Sequence, residues 1–273
     1  MSAVVELAPR HKTGLSLANP VLLATGVAGY GDIRAPGLDF AALGGLVTAP
    51  VTRRPAHRTI PQVHELPGGL FWQRGDWNPG LRVVLRDFAP LWRRLATPII
   101  VHIGADDPGE VAALAGALEG TPGVAGLELD AAGDARAAAD LIWAAREAAD
   151  LPILARVSAG ADDAFVRTLL QAPVDALVVA QPPAGARIDP DSGRLVYGSV
   201  HGPALAPALT ARVAQLAQWV DAPLVACGGV HSVDDALAHL AAGALAVGID
   251  TAVWVDPLLP GRIVGALADR QAA

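Results

Sequence analysis

The chain has 273 residues, 52% of them hydrophobic, which is enough to form one large domain or two small ones. A formal net charge of −7 with scattered arginines excludes a basic nucleic-acid-binding surface. The single cysteine, Cys227, excludes an internal disulfide and a cysteine metal site, and it favours a reducing cytoplasm as the location. We expect neither a signal peptide nor a membrane span, because no apolar run reaches about 18 residues.

Short, nearly continuous apolar runs recur along the chain, and many of their residues are branched. This pattern is typical of parallel strands that are covered on both faces. The eight runs are 20–25, 44–49, 98–103, 124–129, 152–157, 175–180, 223–228 and 244–249.

Segments with the spacing of amphipathic helices separate these runs. They are 38–43, 79–95, 109–119, 135–149, 162–171, 205–220, 233–242 and 257–269. Ser232, directly before one of them, is a suitable helix N-cap. Eight strand–helix alternations in about 250 residues predict a (β/α)8 TIM barrel, a fold of the α/β class. A doubly wound open sheet is the competing fold, and it is disfavoured because no glycine-rich nucleotide loop follows the first strand.

We predict a single TIM-barrel domain over residues 1–273, because no linker rich in Ser or Pro divides the chain. Residues 1–19 form a lead-in before the first strand. Residues 50–79 contain the longest irregular stretch, and loops of that length are uncommon unless they are functional. This loop follows the second strand, on the face where barrel active sites form.

Polar residues stand at the carboxyl ends of the predicted strands, which is the expected composition of a ligand-binding mouth. In chain order they are Thr25, Thr48, His102, Asp130, Arg156, Ser158, Gln181, Asp250 and Thr251. Gly228 and Gly229, after the seventh strand, are typical of a backbone phosphate site, and a tight turn is the alternative. Asp250 disfavours phosphate unless its carboxylate is turned away, because like charges repel.

The lysine and histidine content of the chain limits the catalytic mechanisms that are possible. Lys12 is the sole lysine and precedes the first strand, so a Schiff-base mechanism that needs a lysine on a barrel strand is excluded. His102 is either a base or a structural imidazole. No spacing among His102, Asp130 and His201 demands a shared metal ion, so we predict no metal site.

Motifs spread over nearly the whole chain carry a family resemblance. They are LSLANPVLLATGVAGYG (15–31), GLVTAPVT (45–52), HELPGGL and WNPGL (64–81), PIIVHIG (98–104), GLEL (126–129), SVHGPAL (199–205) and VACGGVHSVDDALAHLAAGALAVGIDTA (225–252). Together they resemble the dihydroorotate dehydrogenases, and most closely the soluble, class 1 members. The resemblance implies a barrel that holds FMN at the strand tips. It also implies the oxidation of dihydroorotate to orotate, a step of pyrimidine biosynthesis, by hydride transfer to the flavin.

The resemblance also implies which residues bind FMN. Thr25 and Gly26 correspond to residues that pack against the flavin ring. Arg156 replaces a lysine near the pyrimidine edge of the ring, where a cation favours the reduced flavin. The residues that correspond to the phosphate site are Gly202, Gly228, Gly229 and Thr251.

The implied substrate pocket departs from the family pattern at most of its positions. Ala49 replaces a lysine, whereas Trp72, Asp130 and Gln181 each replace an asparagine. Asn78, within the WNPGL motif, is a further member of this pocket. Each lost charge-assisted contact costs roughly 1.5–3 kcal/mol of binding free energy. We therefore expect little or no ordinary dihydroorotate turnover.

The family's catalytic base, a Cys or a Ser, corresponds to Gly133 or a residue next to it. Glycine has no side chain that accepts a proton. Asp130 and Asp134 are the candidate replacements, provided that burial raises the pKa of one of them. Ser158 and His201 are further candidates.

Three functional hypotheses follow. The first is a dihydroorotate dehydrogenase-like, FMN-dependent oxidoreductase with altered or lost dihydroorotate oxidation. The second is a non-catalytic relative, a pseudoenzyme, that acts as a binding or assembly module. The third is an unrelated barrel activity, such as a lyase with His102 or Asp130 as base. The resemblance implies a small-molecule ligand, a homodimer and, in one class, an iron–sulfur flavin subunit as electron-transfer partner.

Overall fold

The computed structural model describes residues 4–56, 61–75, 77–180, 182–190 and 192–272. The strands in these ranges are β1 (Val5–Glu6), β2 (Ser16–Leu17), β3 (Val21–Leu23), β4 (Gly45–Val47), β5 (Gln62–Leu66), β6 (Gly69–Gln73), β7 (Ile99–Ile103), β8 (Val124–Ala131), β9 (Ile153–Ser158), β10 (Ala176–Ala180), β11 (Ala184–Ile188), β12 (Leu195–His201), β13 (Leu224–Cys227) and β14 (Ala246–Ile249). The α-helices are α1 (Leu81–Val83), α2 (Ala89–Trp92), α3 (Pro108–Leu118), α4 (Ala135–Ala148), α5 (Asp163–Leu169), α6 (Ala206–Leu216), α7 (Val233–Ala241), α8 (Ala252–Val255) and α9 (Leu259–Ala272). A π-helical turn, Val84–Phe88, joins α1 to α2.

Eight parallel strands close into a barrel in the order β3-β4-β7-β8-β9-β10-β13-β14. Each apolar run that we predicted as a strand contains one of them, and helices alternate with them along the chain. The predicted TIM barrel is therefore confirmed. β7 and β10 are buried at every residue, because helices cover one face and the barrel interior covers the other.

Side-chain caps define where several helices begin. Ser232 accepts a hydrogen bond from the backbone N–H of Asp235, as predicted for the N-cap of α7. Asp134 caps α4 in the same way, with bonds from Arg136 and Ala137. These caps hold the connections after the strands close to the barrel mouth.

The stretch 50–79 is not irregular, because it contains the antiparallel hairpin of β5 and β6, with Gly68 at the turn. A second hairpin, β11 and β12, follows the sixth barrel strand, and the sequence patterns did not predict it. The two hairpins join through β6 and β12 into one four-stranded sheet in the order β11-β12-β6-β5. Local patterns miss this sheet because its short strands are stabilised by pairing with a distant part of the chain.

The lead-in closes the barrel from the opposite end. β1 pairs with β2, and Leu7, Leu15 and Leu17 are buried in one cluster with inward-facing barrel residues such as Ile100. The interior is therefore packed, and a ligand site has to lie at the carboxyl ends of the strands, beneath the four-stranded sheet.

We predict that Trp92→Phe destabilises the fold strongly. Trp92 is fully buried, and its indole N–H donates to the carbonyl oxygen of Tyr30 at 2.7 Å. The substitution removes this donor and leaves a cavity, so the free energy of unfolding should fall by about 2–4 kcal/mol. Urea unfolding measures the loss. The control is Trp143→Phe at an exposed position on α4, for which we expect less than about 0.5 kcal/mol. Equal losses in the two variants would contradict the prediction.

Candidate active site at the barrel mouth

An ion pair between neighbouring strands lies at the barrel mouth. Asp130 on β8 is in register with Arg156 on β9, and Nη1 of Arg156 lies 2.8 Å from Oδ1 of Asp130. β8 continues to Ala131, past its predicted end, so Asp130 lies within the strand rather than after it. The strand register thus brings two predicted site residues into contact.

A chain of buried hydrogen bonds runs inward from this ion pair. Nε2 of His102 lies 3.5 Å from Oδ2 of Asp130, and Nδ1 of His102 lies 2.9 Å from Oε1 of Glu128. The hydroxyl of Thr25 donates to the same Glu128 oxygen at 2.5 Å. The Thr25 hydroxyl is therefore engaged inside the barrel, and His102 connects two carboxylates.

These contacts set the charges of the mouth residues. Burial alone favours neutral His102, but Asp130 and Glu128 outweigh it and raise the pKa of His102 above its ordinary value. Burial also favours neutral Asp130, but His102 and then Arg156 outweigh it and lower the pKa of Asp130 far below its ordinary value. Asp130 is held as a carboxylate, which makes it a poor proton acceptor near neutral pH.

Arg156 has hydrogen-bonding capacity left over after pairing with Asp130. Burial lowers its pKa, but the nearby charges of Asp130, Glu128 and Cys227 outweigh burial and raise the pKa of Arg156 overall. Its Nε is buried and has no hydrogen-bond partner among the described residues. A cation with a free buried donor is suited to an acceptor atom on a ligand.

Asp250 is paired with a histidine rather than left facing an anion. Its carboxylate accepts a hydrogen bond from Nδ1 of His201, and Nε2 of His201 lies 2.8 Å from the hydroxyl oxygen of Ser199. Both His201 and Ser199 belong to β12, in the four-stranded sheet. The carboxylate charge of Asp250 is thus paired within the protein.

Three predicted phosphate-site residues, Gly228, Gly229 and Thr251, follow β13 and β14, whereas Gly202 follows β12 and packs against Gly68. Gly228 and Gly229 have φ of 117° and 69°, which favours glycine at both. A Cβ on Gly229 would lie 2.7 Å from the backbone nitrogen of Ala206. A cavity of about 230 Å³ next to them is lined by residues that include His201, Pro203, His231 and Thr251.

Arg74, just after β6, closes the centre of the mouth. Its guanidinium stacks on the Trp72 ring at 4.4 Å from the ring centroid. The space beside its guanidinium is too narrow even for a water molecule. The residues around this space include Thr25, Arg74, Arg156 and Asp250. Sequence analysis missed Arg74 because the sheet that carries it over the barrel was not predicted.

A cavity of about 610 Å³ lies beside Arg74, and we call it the aromatic cavity. Its lining includes Gly26, Tyr30, Ala49, Trp72, Arg74, Trp77, Asn78 and Trp254. Three predicted substrate-pocket residues therefore share one cavity. Trp72 lies in β6 rather than in a loop, and its ring contacts that of Trp254 at 4.9 Å in a T-shaped arrangement.

A second cavity, of about 480 Å³, lies over the ends of β8, β9 and β10. Asp130, Gly133, Arg156 and Ser158 line it. Arg156 lines this cavity, whereas Arg74 lines the aromatic cavity. The predicted residue Gln181 falls outside the described residues.

The segment after β8 offers little acid–base chemistry. Gly133 has φ of 73° and no atom within 4 Å of an added Cβ, so space for a side chain exists where none is present. Asp134, the other candidate base, is the N-cap of α4, and its Oδ1 accepts two backbone hydrogen bonds at 3.0 Å.

Glu128 is a further mouth residue that sequence analysis did not select. It is buried, at 1% exposure, between Leu127 and Leu129 on β8. A carboxylate within an otherwise apolar strand was the available signal, because such a group has to be paired when it is buried.

Comparisons with known proteins agree with the fold and with the resemblance. A family profile described as dihydroorotate dehydrogenase matches residues 10–270. The chain is 37% identical over 265 residues to the dihydroorotate dehydrogenase B (NAD(+)) catalytic subunit of Desulforudis audaxviator, covering 89% of this chain and 86% of the relative. It is 32% identical over 273 residues to the protein of the same name from Bacillus caldolyticus, covering 93% and 87%.

A solved structure shows the same fold at lower sequence identity. The dihydroorotate dehydrogenase of Eimeria tenella, in complex with ferulenol, superposes with a TM-score of 0.78 at 18% identity, covering 98% of this chain and 85% of that one. Members of the family are FMN-dependent flavoproteins, which supports FMN as the cofactor here. The extent of the profile match and the identity to the relatives both lead to one conclusion: the chain belongs to the dihydroorotate dehydrogenase family.

Proposed function

We propose that this chain is an FMN-dependent oxidoreductase in which dihydroorotate oxidation is altered or lost. The observation that carries the proposal is the segment from Asp130 to Asp134. Its one candidate base in the strand, Asp130, is ion-paired with Arg156, and Gly133 offers no side chain. The family's fold is thus retained without its usual proton acceptor.

The residues at the mouth fit FMN at two places. Thr251 borders a cavity that suits a phosphate, close in the chain to the positive-φ turn of Gly228 and Gly229. The unpartnered Nε of Arg156 suits an acceptor atom at the pyrimidine edge of the ring. FMN, when bound, supplies the hydride acceptor. Before a ring enters the space beside Thr25, the Arg74 guanidinium has to turn out of that space, towards the aromatic cavity that Arg74 and Trp72 also line.

Proton abstraction is the step that these residues support least. Asp130 has a lowered pKa because His102 and Arg156 stabilise its charge. His102 has a raised pKa and therefore favours the protonated form, which donates rather than accepts. Asp134 is engaged in capping α4. A substrate of this site therefore needs a proton acceptor other than the side chains of this segment.

Binding of dihydroorotate is also disfavoured. Its carboxylate and ring amides would meet Ala49 and Trp72, which supply no charge-assisted hydrogen bond at these positions. Asp130 adds a negative charge, although Arg156 offsets it. Losing two such contacts costs roughly 3–6 kcal/mol of binding free energy, which is enough to abolish ordinary turnover.

We extend the proposal to partners. The relatives from Desulforudis audaxviator and Bacillus caldolyticus are named as catalytic subunits, which supports a partner subunit for this chain. We also propose a homodimer of the catalytic chain, as the family resemblance implies. Within the described ranges, no helix combines the length and apolar character needed to cross a membrane. We propose the cytoplasm as the location and a flavin reaction related to pyrimidine biosynthesis as the setting.

We predict that the purified protein contains or takes up FMN and that dihydroorotate does not reduce it. Anaerobic mixing with dihydroorotate should leave the flavin absorbance unchanged over minutes, because no base is poised to remove the proton. Dithionite, added next, should bleach the flavin and thus show that it is reducible. Rapid bleaching by dihydroorotate would refute the altered reaction, and protein that neither holds nor binds FMN would refute the cofactor.

We also predict that Arg156→Gln weakens FMN binding by about 10- to 100-fold, because one charge-assisted hydrogen bond is worth roughly 1.5–3 kcal/mol. Fluorescence titration of the apoprotein measures the dissociation constant. Arg212→Gln is the matched control. Arg212 also forms a 2.8 Å ion pair, with Asp163, and also has an unpartnered buried Nε, but it lies on α6 outside the mouth. Equal weakening of FMN binding in both variants would contradict a role for Arg156 in the flavin site.

A further inference from the structure

We propose that the aromatic cavity binds a ligand with an aromatic or other apolar body and one anionic group, and that Arg74 binds the anion. This inference rests on the proposed function, because it names the substrate class of that same site. The proposed ligand differs from dihydroorotate, which is a small polar ring that needs hydrogen-bonding partners around its edge. Five features of the cavity and of Arg74 lead to this inference.

Two of the rings that line the aromatic cavity, those of Tyr30 and Trp254, have their polar atoms bonded to the backbone and so offer carbon to a ligand. The hydroxyl of Tyr30 donates to the carbonyl oxygen of Pro50 at 2.9 Å, and Nε1 of Trp254 donates to the carbonyl oxygen of Val27 at 2.8 Å. Their polar atoms are therefore satisfied by the backbone. Apolar walls of this kind exclude a small polar heterocycle, because its ring amides would be left without partners.

The polar side chains of the wall are engaged within the protein in the same way. Oδ1 of Asn78 accepts from the Thr52 hydroxyl at 2.5 Å and from the Gly80 N–H at 3.0 Å. Asp32, at the edge of the cavity, is exposed, and its Oδ1 accepts from the Tyr30 N–H at 2.8 Å. These groups position the wall, and their oxygens do not favour an anionic ligand.

Arg74 differs from the other charged residues of the mouth. Asp130 pairs with Arg156, Asp250 with His201, and Glu128 with His102. Among the residues that the structure describes, no carboxylate forms a salt bridge with Arg74, which stacks on Trp72 instead. Among the described residues, the mouth therefore contains a partly buried cation that no carboxylate pairs with.

The lowered pKa of Arg74 agrees with a guanidinium that has no anion in contact with it. Burial lowers the pKa of Arg74, and the charge of Arg156 lowers it further, while the more distant Asp250, Asp130 and Glu128 offset only part of this. An anion within contact distance in the aromatic cavity would compensate the desolvated charge. The ring of Trp72 holds the guanidinium in place for this contact.

The size of the cavity suits such a ligand. Small-molecule sites commonly have volumes of about 300–1,000 Å³, are mostly apolar and contain a few placed polar groups. The aromatic cavity has a volume of about 610 Å³ and one cation in its wall. A two-ring aromatic carboxylate fits within it with its charged end at Arg74.

The test compares three probes on the protein as purified. 2-Naphthoate has the aromatic body and the anion, 2-naphthalenemethanol has the body without the charge, and orotate has the charge on a polar ring. Isothermal titration calorimetry measures each dissociation constant. We expect 2-naphthoate to bind at least 10-fold more tightly than either of the other two.

Variants then test the role of Arg74. Arg74→Gln should weaken 2-naphthoate at least 10-fold and leave 2-naphthalenemethanol within 2-fold, whereas Arg74→Lys should retain much of the anion preference. Arg167→Gln is the matched control, because Arg167 also stacks on a tryptophan, with its guanidinium 4.1 Å from the Trp219 ring centroid, but away from the mouth. This control should change neither affinity. Circular dichroism establishes that each variant is folded.

Several outcomes would overturn the inference. They are equal affinity for the charged and uncharged naphthyl probes, tighter binding of orotate than of 2-naphthoate, and an Arg74→Gln variant that binds 2-naphthoate like the parent. Flavin content, read from absorbance in the same samples, separates this inference from the proposed function. If flavin-loaded protein does not bind 2-naphthoate, the result refutes this inference alone. If flavin-free protein binds 2-naphthoate, the result refutes the cofactor alone.

Discussion

The site depends on the pairing of Arg156 with Asp130 across β8 and β9. The side chain of Arg156 is largely withdrawn from water, whereas that of Asp130 is 51% exposed, so the carboxylate compensates the desolvated guanidinium from the edge of the mouth. The same constraint extends through His102 to Glu128 and Thr25. These contacts hold the side chains of four barrel strands in one arrangement and decide which atoms remain for a ligand.

Two acids at the barrel mouth have basic partners. Asp130 contacts Arg156, and Asp250 contacts His201. Because a carboxylate that loses water needs a compensating partner, these contacts decide how the two acids are held at the mouth.

The four-stranded sheet gives the mouth its specificity. β6 brings Trp72 and positions Arg74 over the strand ends, and β12 brings Ser199 and His201. Parallel barrel strands alone present only short polar tips, so a barrel needs loops or added sheets to enclose a ligand. Here the described walls of the aromatic cavity are largely aromatic, and Arg74 lines both this cavity and the space beside Thr25.

The amino-acid sequence by itself determined the eight barrel strands, most of the helices and the polar ring at the mouth, because apolar periodicity and caps such as Ser232 are local signals. It also indicated the family and the absence of a side chain at Gly133. Only the tertiary structure decided the pairing of β6 with β12, the ion pairs of Asp130 and Asp250, and the place of Arg74. Strand pairing between distant segments, and the pKa values that follow from it, depend on contacts that no local pattern encodes.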